Sequence, residues 1–229
     1  MSRTAVITGG SNGIGAALAG VLLNRGYRVF CIDTVPCENT DCTTIIADVR
    51  SPEQLARAAR ECPAAIDLLV NNAGVMRRGT VTGMTTADLN LVIDVHLKGA
   101  LYVFRALYPL LAKDAVVLQM SSRHAVTPPV DPGVYGLAKQ ATAHVAGLIR
   151  RSHPNLHVKL AFPGPVDTEL GRHQVSAEEL ESKRKTMITP EELSQHLWTL
   201  IDSPDYRCLN FDQKKWSYGF QEEWPAMPI

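Results

Sequence analysis

The sequence predicts an α/β protein with a doubly wound parallel sheet that is covered by helices on both faces. Short apolar, β-branched segments alternate with longer segments of helical pattern along the 229 residues, and strands separated by helices are joined by right-handed crossovers. The strand segments also read as continuous apolar runs, as expected for strands buried on both faces. No linker or internal repeat divides the sequence, so we expect a single domain over residues 1–229.

The alternation divides the chain into about seven strands with helices between them. We expect strands at 4–8, 27–33, 43–47, 66–70, 115–120, 156–162 and 208–211. Helices are expected at 13–25, from 51, at 87–111, at 134–151, from 176 and at 189–201. Ser51 followed by Pro52 is typical of a helix start, because serine caps the first turn and proline fits into it.

The composition argues against several classes of partner. The 23 basic residues equal the 23 acidic ones, whereas nucleic-acid and membrane-surface binding usually need a basic patch. No apolar stretch reaches the roughly 18 residues that span a bilayer, and the first residues lack the pattern of a secretion signal. The five cysteines are unpatterned, and no second Cys or His pair completes a zinc site. We therefore expect a cytoplasmic protein with no metal, nucleic-acid or membrane partner.

A glycine-rich turn follows the first strand and opens the first helix. It reads Thr8-Gly9-Gly10-Ser11-Asn12-Gly13-Ile14-Gly15. Its first, third and fourth glycines allow the backbone to approach a pyrophosphate and the helix to pack on the strand. The helix N-terminus then offers free N–H groups to the phosphates. This context predicts a dinucleotide-binding, Rossmann-type sheet with strand order 3-2-1-4-5-6-7.

Asp33 ends the second predicted strand and bears on the choice of cofactor. An acid at this place accepts hydrogen bonds from the adenosine ribose and repels a 2′-phosphate. The residue therefore favours NAD(H) over NADP(H). The alternative is a solvated aspartate at a strand end, with no role in cofactor binding.

Further motifs resemble those of the short-chain dehydrogenase/reductase family, and they occur in the family's order from residue 8 to residue 168. Besides the glycine loop they are Asp48-Val49, Asn71-Asn72-Ala73-Gly74, Ser122 placed 13 residues before Tyr135, Tyr135-Gly136-Leu137-Ala138-Lys139, and Pro163-Gly164-Pro165-Val166-Asp167-Thr168. The resemblance implies an oxidoreductase that binds a nicotinamide cofactor and acts on a small carbonyl or alcohol substrate. The cofactor-binding residues expected from the loop, Asp33 and these motifs are Gly9, Ser11, Asn12, Gly13, Ile14, Gly15, Asp33, Asp48, Val49, Asn72, Ala73, Gly74, Tyr135, Lys139, Pro163, Gly164, Val166 and Thr168.

Tyr135, Lys139 and Ser122 carry the expected chemistry. Carbonyl reduction puts hydride on carbon and a proton on oxygen, and a tyrosine is a useful acid/base only if its pKa falls from about 10 toward the working pH. Lys139 lies one helical turn after Tyr135, where its cation favours the phenolate. Ser122 can donate a hydrogen bond to the developing oxyanion. The resemblance adds that Lys139 binds the nicotinamide ribose and that Val166 and Thr168 lie near the carboxamide.

One position departs from the family pattern. The segment Asp94-Val95-His96-Leu97-Lys98-Gly99 has His96 where the family usually has a catalytic Asn. That Asn is inferred to hold a water that links Lys139 to a proton relay. An imidazole also donates and accepts hydrogen bonds and titrates near neutrality, so His96 could serve in this role and alter the pH dependence. The alternative is that His96 is a spacer and the relay is weakened or rerouted.

The substrate side is less defined by the sequence. A charged segment of helical pattern at about 168–189 is typical of a mobile lid. Four cationic side chains are expected near the pocket, and they either favour a polar or anionic substrate or are solvated surface residues. They are Arg77, Arg78, Arg123 and His124.

The C-terminal segment and the long helices bear on assembly. Trp216, Tyr218, Phe220 and Trp224 are costly to expose, so we expect them to pack on the body of the protein or on a partner subunit. The family commonly assembles through its two long central helices, which implies a homodimer or homotetramer.

Two interpretations compete with the oxidoreductase function. One is a cofactor sensor with little turnover, which the presence of His96 favours, and the other is an epimerase or dehydratase on the same scaffold.

Overall fold

The structure is a computed structural model that describes residues 2–127, 129–173 and 175–225. Within these residues the strands form one eight-stranded sheet with the order β3-β2-β1-β4-β5-β6-β7-β8. Neighbouring strands are parallel except the last pair, β7 and β8, which is antiparallel. The predicted α/β class and the predicted order of the first seven strands are confirmed, and an eighth strand extends the sheet.

The elements follow one another as strand and helix, as the sequence pattern predicts. The strands are β1 Thr4–Thr8, β2 Arg28–Asp33, β3 Thr43–Ile46, β4 Ile66–Asn71, β5 Leu111–Met120, β6 His157–Phe162, β7 Cys208–Asp212 and β8 Ser217–Gln221. The α-helices are α1 Gly13–Leu23, α2 Pro52–Glu61, α3 Thr86–Ile93, α4 Gly99–Leu107, α5 Arg123–Val126, α6 Gly133–Ser152, α7 Glu169–Arg172, α8 Ala177–Arg184 and α9 Pro190–Asp202. Between α3 and α4 lies a π-helical turn, Asp94–Lys98.

Hydrophobic cores lie on both faces of the sheet. In β1, Val6 belongs to the core that contains residues of α2, α4 and α6. Its neighbours Ala5 and Ile7 belong to the opposite core, with Leu18 of α1 and Leu197 of α9. Because successive strand residues face opposite sides, a strand covered on both sides must be apolar throughout. This burial explains the continuous apolar runs in the sequence.

The predicted helix at 87–111 is interrupted, and in this respect the prediction was wrong. The backbone N–H of Gly99 donates to the carbonyl of Asp94, which is the wider hydrogen bond of a π-turn. The helix then ends at Leu107 and passes through a 3-10 turn, Tyr108–Leu110, into β5. The π-turn adds one residue to the helical path at the position of His96, and such turns often occur at functional sites.

The C-terminal aromatic residues pack on the body of the protein. Tyr218 of β8 stacks on His196 of α9 with ring centroids 5.1 Å apart. Trp224 lies under the Arg150 guanidinium of α6, 4.8 Å from its ring centre. The first of the two expected arrangements, packing on the body, is therefore confirmed for these rings. No helix within the described ranges is long and apolar enough to cross a membrane.

Candidate active site

A cavity of about 690 Å³ opens at the carboxyl ends of the central strands, where the loops after β1 to β6 meet. Most of the residues predicted to bind the cofactor or to act in catalysis line it. They are Gly9, Asn12, Gly13, Ile14, Asp33, Asp48, Val49, Asn72, Ala73, Gly74, Ser122, Tyr135, Lys139, Pro163, Gly164, Val166 and Thr168. The predicted site residues that do not line the cavity are Ser11, Gly15 and His96.

The glycine loop forms a cradle in which side chains have no room. Gly9 has a φ of 67°, and a Cβ there would lie 2.9 Å from the Ala73 Cα. A Cβ on Gly15 would lie 2.0 Å from the Gly9 carbonyl oxygen. Asn12 precedes α1 but its side chain does not cap the helix, so the first-turn N–H groups are left for a ligand. A tight loop followed by an uncapped helix N-terminus fits the pyrophosphate of a dinucleotide.

Thr8 and Asn72 hold this loop against the end of β4. The Thr8 hydroxyl accepts hydrogen bonds from the backbone N–H groups of Asn72 at 3.0 Å and Ala73 at 3.1 Å. The Asn72 side-chain amide donates to the carbonyls of Thr8 and Gly9, both at 3.0 Å. Sequence reasoning named Asn72 as a cofactor contact and missed Thr8, although both residues lie in the motifs it used. Their hydrogen bonds give the loop its shape.

Asp33 stands at one end of the cavity with both carboxylate oxygens engaged. One accepts from the Ser11 N–H at 3.0 Å and the other from the Thr34 N–H at 2.7 Å. The Ser11 hydroxyl donates to the Val35 carbonyl at 2.6 Å. Ser11 was expected to contact the cofactor, but its side chain is bonded to the loop after β2. It therefore supports Asp33 instead of lining the cavity.

Arg50, which sequence reasoning did not name, lies beside Asp48 at the same end of the cavity. The guanidinium forms a two-point ion pair with the Asp48 carboxylate, with the shortest contact at 2.5 Å. These hydrogen bonds lower the pKa of Asp48 below its usual range. The Gln54 side chain accepts from the Asp48 N–H at 2.8 Å. The Asp48-Val49 segment is thus fixed from both sides.

Ser122 and Tyr135 meet at the opposite end of the cavity. Ser122 caps the short helix α5, where its hydroxyl accepts from the His124 N–H at 3.2 Å. Tyr135 lies in the first turn of α6, and both side chains are buried. Burial raises the pKa of Tyr135 to about 12, and a hydrogen bond with the Ser122 side chain partly opposes that rise. The phenol is therefore protonated at neutral pH.

Lys139 reaches the same place from the next turn of α6. Its ammonium nitrogen lies 5.8 Å from the centre of the Tyr135 ring and donates to the Met120 carbonyl at 3.1 Å. Burial lowers the pKa of Lys139 to about 7. We expected the lysine cation to depress the pKa of Tyr135, but burial dominates both groups. The lysine thus loses part of its charge near neutrality and sits beside a protonated phenol.

His96 packs edge-on against Tyr135, with ring centroids 5.3 Å apart. Its Nε2–H donates to the Val75 carbonyl at 2.8 Å. Its Nδ1 is buried and has no hydrogen-bond partner among the described residues. Burial, reinforced by the nearby charge of Lys139, lowers the pKa of His96 well below 6.5. The expectation that His96 titrates near neutrality is therefore wrong.

The end of the cavity beside Tyr135 is bounded by contacts between distant parts of the chain. Arg77, after β4, forms an ion pair with Asp88 at 3.0 Å, and a second guanidinium nitrogen lies 3.3 Å from the His173 ring, after α7. The Trp216 indole N–H, in the turn before β8, donates to the Thr186 carbonyl at 3.0 Å. The four basic residues predicted near the pocket, Arg77, Arg78, Arg123 and His124, all line the cavity. Trp216 also lines it, a role that the sequence did not reveal.

Comparison with known sequences identifies the family to which the chain belongs. Residues 3–179 match the family model described as short chain dehydrogenase. Oxidoreductase UcpA of Escherichia coli is 34% identical over 192 residues, which cover 73% of this chain and 71% of that protein. The 1-deoxy-11-beta-hydroxypentalenate dehydrogenase of Streptomyces avermitilis is 27% identical over 223 residues, or 87% of this chain and 81% of that protein.

Solved structures agree with the fold. The ligand-free aldohexose dehydrogenase of Thermoplasma acidophilum superposes with a TM-score of 0.80 at 23% identity, covering 87% of each chain. The 3-ketoacyl-(acyl-carrier-protein) reductase of Brucella melitensis, solved in complex with NADH, gives a TM-score of 0.77 at 20% identity over 88% of this chain and 91% of that one. Fold, motif order and sequence similarity together show that the chain belongs to the short-chain dehydrogenase/reductase family of oxidoreductases.

Proposed function

We propose that the protein is an NAD(H)-dependent oxidoreductase that transfers a hydride between the nicotinamide and a small carbonyl or secondary-alcohol substrate. The observation that carries the proposal is one cavity with Asp33 and the glycine cradle at one end and Ser122, Tyr135 and Lys139 at the other. A bound nicotinamide supplies the hydride in its reduced form and accepts it in its oxidised form. The residues of the cradle would hold the pyrophosphate, and Asp33 the adenosine ribose.

Tyr135 is proposed as the general acid/base. Its protonated phenol is suited to give a proton to the oxygen of a carbonyl that is being reduced. Ser122 shares a hydrogen bond with that phenol and can donate to the same substrate oxygen. In its charged form, Lys139 stabilises the phenolate that remains after the proton has left. In the oxidative direction, the phenolate takes the proton from the alcohol.

His96 is proposed as a positioning residue. Its hydrogen bond to Val75 and its edge contact with Tyr135 support a role in fixing the ring, and its depressed pKa argues against proton transfer near neutrality. The unpartnered Nδ1 leaves room for the relay role, since a water could donate to it. We favour positioning because the ring already uses its N–H on the backbone.

The preference for NAD(H) over NADP(H) is proposed from Asp33. A 2′-phosphate beside this carboxylate would place two negative charges in contact, and the nearby Arg50 is already paired with Asp48. At this end of the cavity, Asp33 can accept hydrogen bonds from the ribose hydroxyls. Among the residues described, no unpaired cation lies there to bind a 2′-phosphate.

The remaining proposals concern organisation. We propose that residues 1–229 form one domain and that the segment at about 168–189, which contains α7 and α8, acts as a lid over the substrate.

A homodimer or homotetramer is proposed because Leu101 of α4 and Leu148 of α6 are 37% and 53% exposed on the central helices. The unpaired, unpatterned cysteines favour a cytoplasmic location.

The proposal is tested by titrating the purified protein with NADH and with NADPH while the fluorescence of the bound nicotinamide is followed. Aldehydes, ketones and alcohols are then added to the tighter complex. Tighter NADH binding with turnover of a carbonyl or alcohol is the expected result. Tight binding without turnover on a broad panel would favour the cofactor sensor, and tighter NADPH binding would overturn the role of Asp33.

A further inference from the structure

The substrate end of the cavity carries more positive than negative charge. Arg77, Arg78, Arg123 and Lys183 line it, and the acid in this part of the wall is the exposed Glu169. The other acids of the wall, Asp33 and Asp48, lie at the cofactor end. A wall of this kind attracts an anion to the place where the reaction occurs.

Arg77 and Arg123 differ in how their charge is balanced. Arg77 has Asp88 at 3.0 Å and the Met76 carbonyl at 2.7 Å. Within the described part of the chain, the Arg123 side chain forms no ion pair and no hydrogen bond. Its guanidinium lies 6.0 Å from the centre of the Phe211 ring, over the aromatic face.

The surroundings of Arg123 leave its charge uncompensated. The side chain is half-buried, and burial lowers its pKa, although an arginine remains charged. Tyr218 is also close, but burial raises the pKa of that phenol to about 12, so it carries no negative charge at neutral pH. A half-buried cation that faces a cavity without an anion is costly unless a ligand supplies one.

The position of Arg123 next to Ser122 links this charge to the reaction. The Arg123 backbone N–H donates to the Pro163 carbonyl at 2.9 Å, which fixes the chain on the cavity wall. The residue that can hold the substrate oxygen and the residue with the unpaired guanidinium are therefore sequence neighbours on one rigid turn. Beyond them the cavity wall includes the Trp216 indole, which packs edge to face on the buried Phe211 ring at 5.1 Å.

We propose that Arg123 binds the carboxylate of the substrate, so that the protein acts on short oxo acids or hydroxy acids. The proposal rests on the oxidoreductase function proposed above and names its substrate class. A guanidinium matches a carboxylate with two parallel hydrogen bonds, which is a more specific fit than that of a point charge. The aromatic wall accepts the carbon chain.

The test compares acids with uncharged counterparts of the same skeleton. Pyruvate, acetoacetate and levulinate, each beside its methyl ester, are offered with NADH to the wild type, to Arg123→Met and to Arg123→Lys. For the acid whose length fits, the wild-type ratio of kcat/KM between acid and ester should exceed that of Arg123→Met by about thirtyfold, as expected for a hydrogen-bonded charge pair. Arg123→Lys should fall between the two, and Arg60→Met, on the exposed face of α2, should match the wild type.

A binding experiment keeps the proposal testable even if no substrate turns over. Butyrate and butyramide, which cannot be reduced by hydride under these conditions, are titrated into the NADH complex of each variant. Binding of butyrate that is lost in Arg123→Met, with the affinity for NADH retained, supports the proposal whatever the turnover.

Four outcomes would overturn the proposal, and the last of them leaves the proposed function standing. The first is equal binding of butyrate to the wild type and to Arg123→Met, and the second is an acid-to-ester ratio that Arg123→Met does not change. The third is a parallel loss of NADH affinity, which would assign Arg123 to the cofactor. Reduction of esters without preference for acids would refute this inference while leaving the proposed function standing. Binding of butyrate through Arg123 without turnover of any substrate would refute the proposed function while leaving the carboxylate site standing.

Discussion

The two ends of the cavity are built from different parts of the chain. The cofactor end consists of backbone and short side chains at the carboxyl ends of neighbouring strands, such as Gly9, Asn12 and Asp33. The substrate end consists of long side chains from distant segments, such as Arg77 and Trp216. The first end can therefore be shared by proteins with unrelated substrates, whereas the second can change with few consequences for the fold. We infer that specificity for substrate lies in side chains outside the family motifs.

The largest expected effect concerns Tyr135, which lies at the end of the cavity opposite the glycine cradle. Tyr135→Phe removes the phenolic proton and keeps the ring between His96 and His124. We expect kcat to fall about a thousandfold, within the range for loss of a general acid/base, while the Kd for NADH stays the same. Fluorescence titration and steady-state rates measure the two quantities. Normal turnover in Tyr135→Phe would refute the mechanism, and Tyr108→Phe, outside the cavity, is the matched control.

The cofactor end was largely predictable from the sequence for a physical reason. Spacing within a strand–turn–helix unit fixes local geometry, so the glycines and Asp33 could be placed without the fold. Two contacts at this end were not predicted, because they depend on side chains that meet only after folding. The Ser11 hydroxyl turns to the Val35 carbonyl, and Arg50 folds back onto Asp48.

Other features were not predictable because they are set by tertiary packing. The π-turn at Asp94–Lys98 has an ordinary helical sequence pattern. It is identified by the hydrogen bond that the Gly99 N–H donates to the Asp94 carbonyl. Strand β8 is short and only alternately buried, and its pairing with β7 gives it its structure. The aromatic residues in this segment were noticed as costly to expose, but their spacing did not identify Trp216 as part of the cavity wall.

The next effect tests whether Asp33 selects the cofactor at the adenosine ribose. Asp33→Ala should lower the preference for NADH over NADPH by about thirtyfold, or about 2 kcal/mol, which is the worth of hydrogen bonds to a charged group. The ratio of the two Kd values measures it. Asp41→Ala removes an exposed acid from the following loop and should leave the ratio unchanged. A preference that survives in Asp33→Ala would place cofactor selection elsewhere in the wall.

A smaller effect concerns the two imidazoles that flank Tyr135. Burial lowers the pKa of His124 to about 4 and that of His96 well below 6.5. Below about pH 6.5 the unfolded chain binds protons that the folded protein excludes, so the free energy of unfolding falls as the pH drops. Each histidine contributes a slope of up to about 1.4 kcal/mol per pH unit.

His96→Asn should reduce the pH dependence of the free energy of unfolding by the contribution of one histidine. Urea unfolding at several pH values between 6.5 and 4 measures it, and His157→Asn, at the exposed start of β6, controls for loss of an imidazole. An unchanged slope in His96→Asn would mean that the ring is solvated in the folded protein. Turnover that falls only slightly in the same variant, with an unchanged pH profile, would agree with positioning rather than proton transfer.

The smallest expected effect separates shape from backbone strain at the substrate end. Trp216 has a φ of 51°, in the left-handed region that a bulky residue rarely adopts, and its ring forms part of the cavity wall. Trp216→Ala and Trp216→Gly both remove the wall and should raise the KM of a substrate about fivefold, or about 1 kcal/mol. The glycine variant relieves the strain, so its free energy of unfolding should exceed that of the alanine variant by about 1 kcal/mol.

Steady-state kinetics and urea unfolding measure these two quantities, and Trp224→Ala, which packs outside the cavity, is the matched control for losing an indole. If NADH affinity fell together with substrate affinity in both variants, the substrate end and the cofactor end would not be separable. If the alanine and glycine variants were equally stable, the left-handed backbone at this position would carry no strain. An increase in KM alone, equal in both variants, would show that the indole contributes to the substrate end through its surface and its hydrogen bond to Thr186.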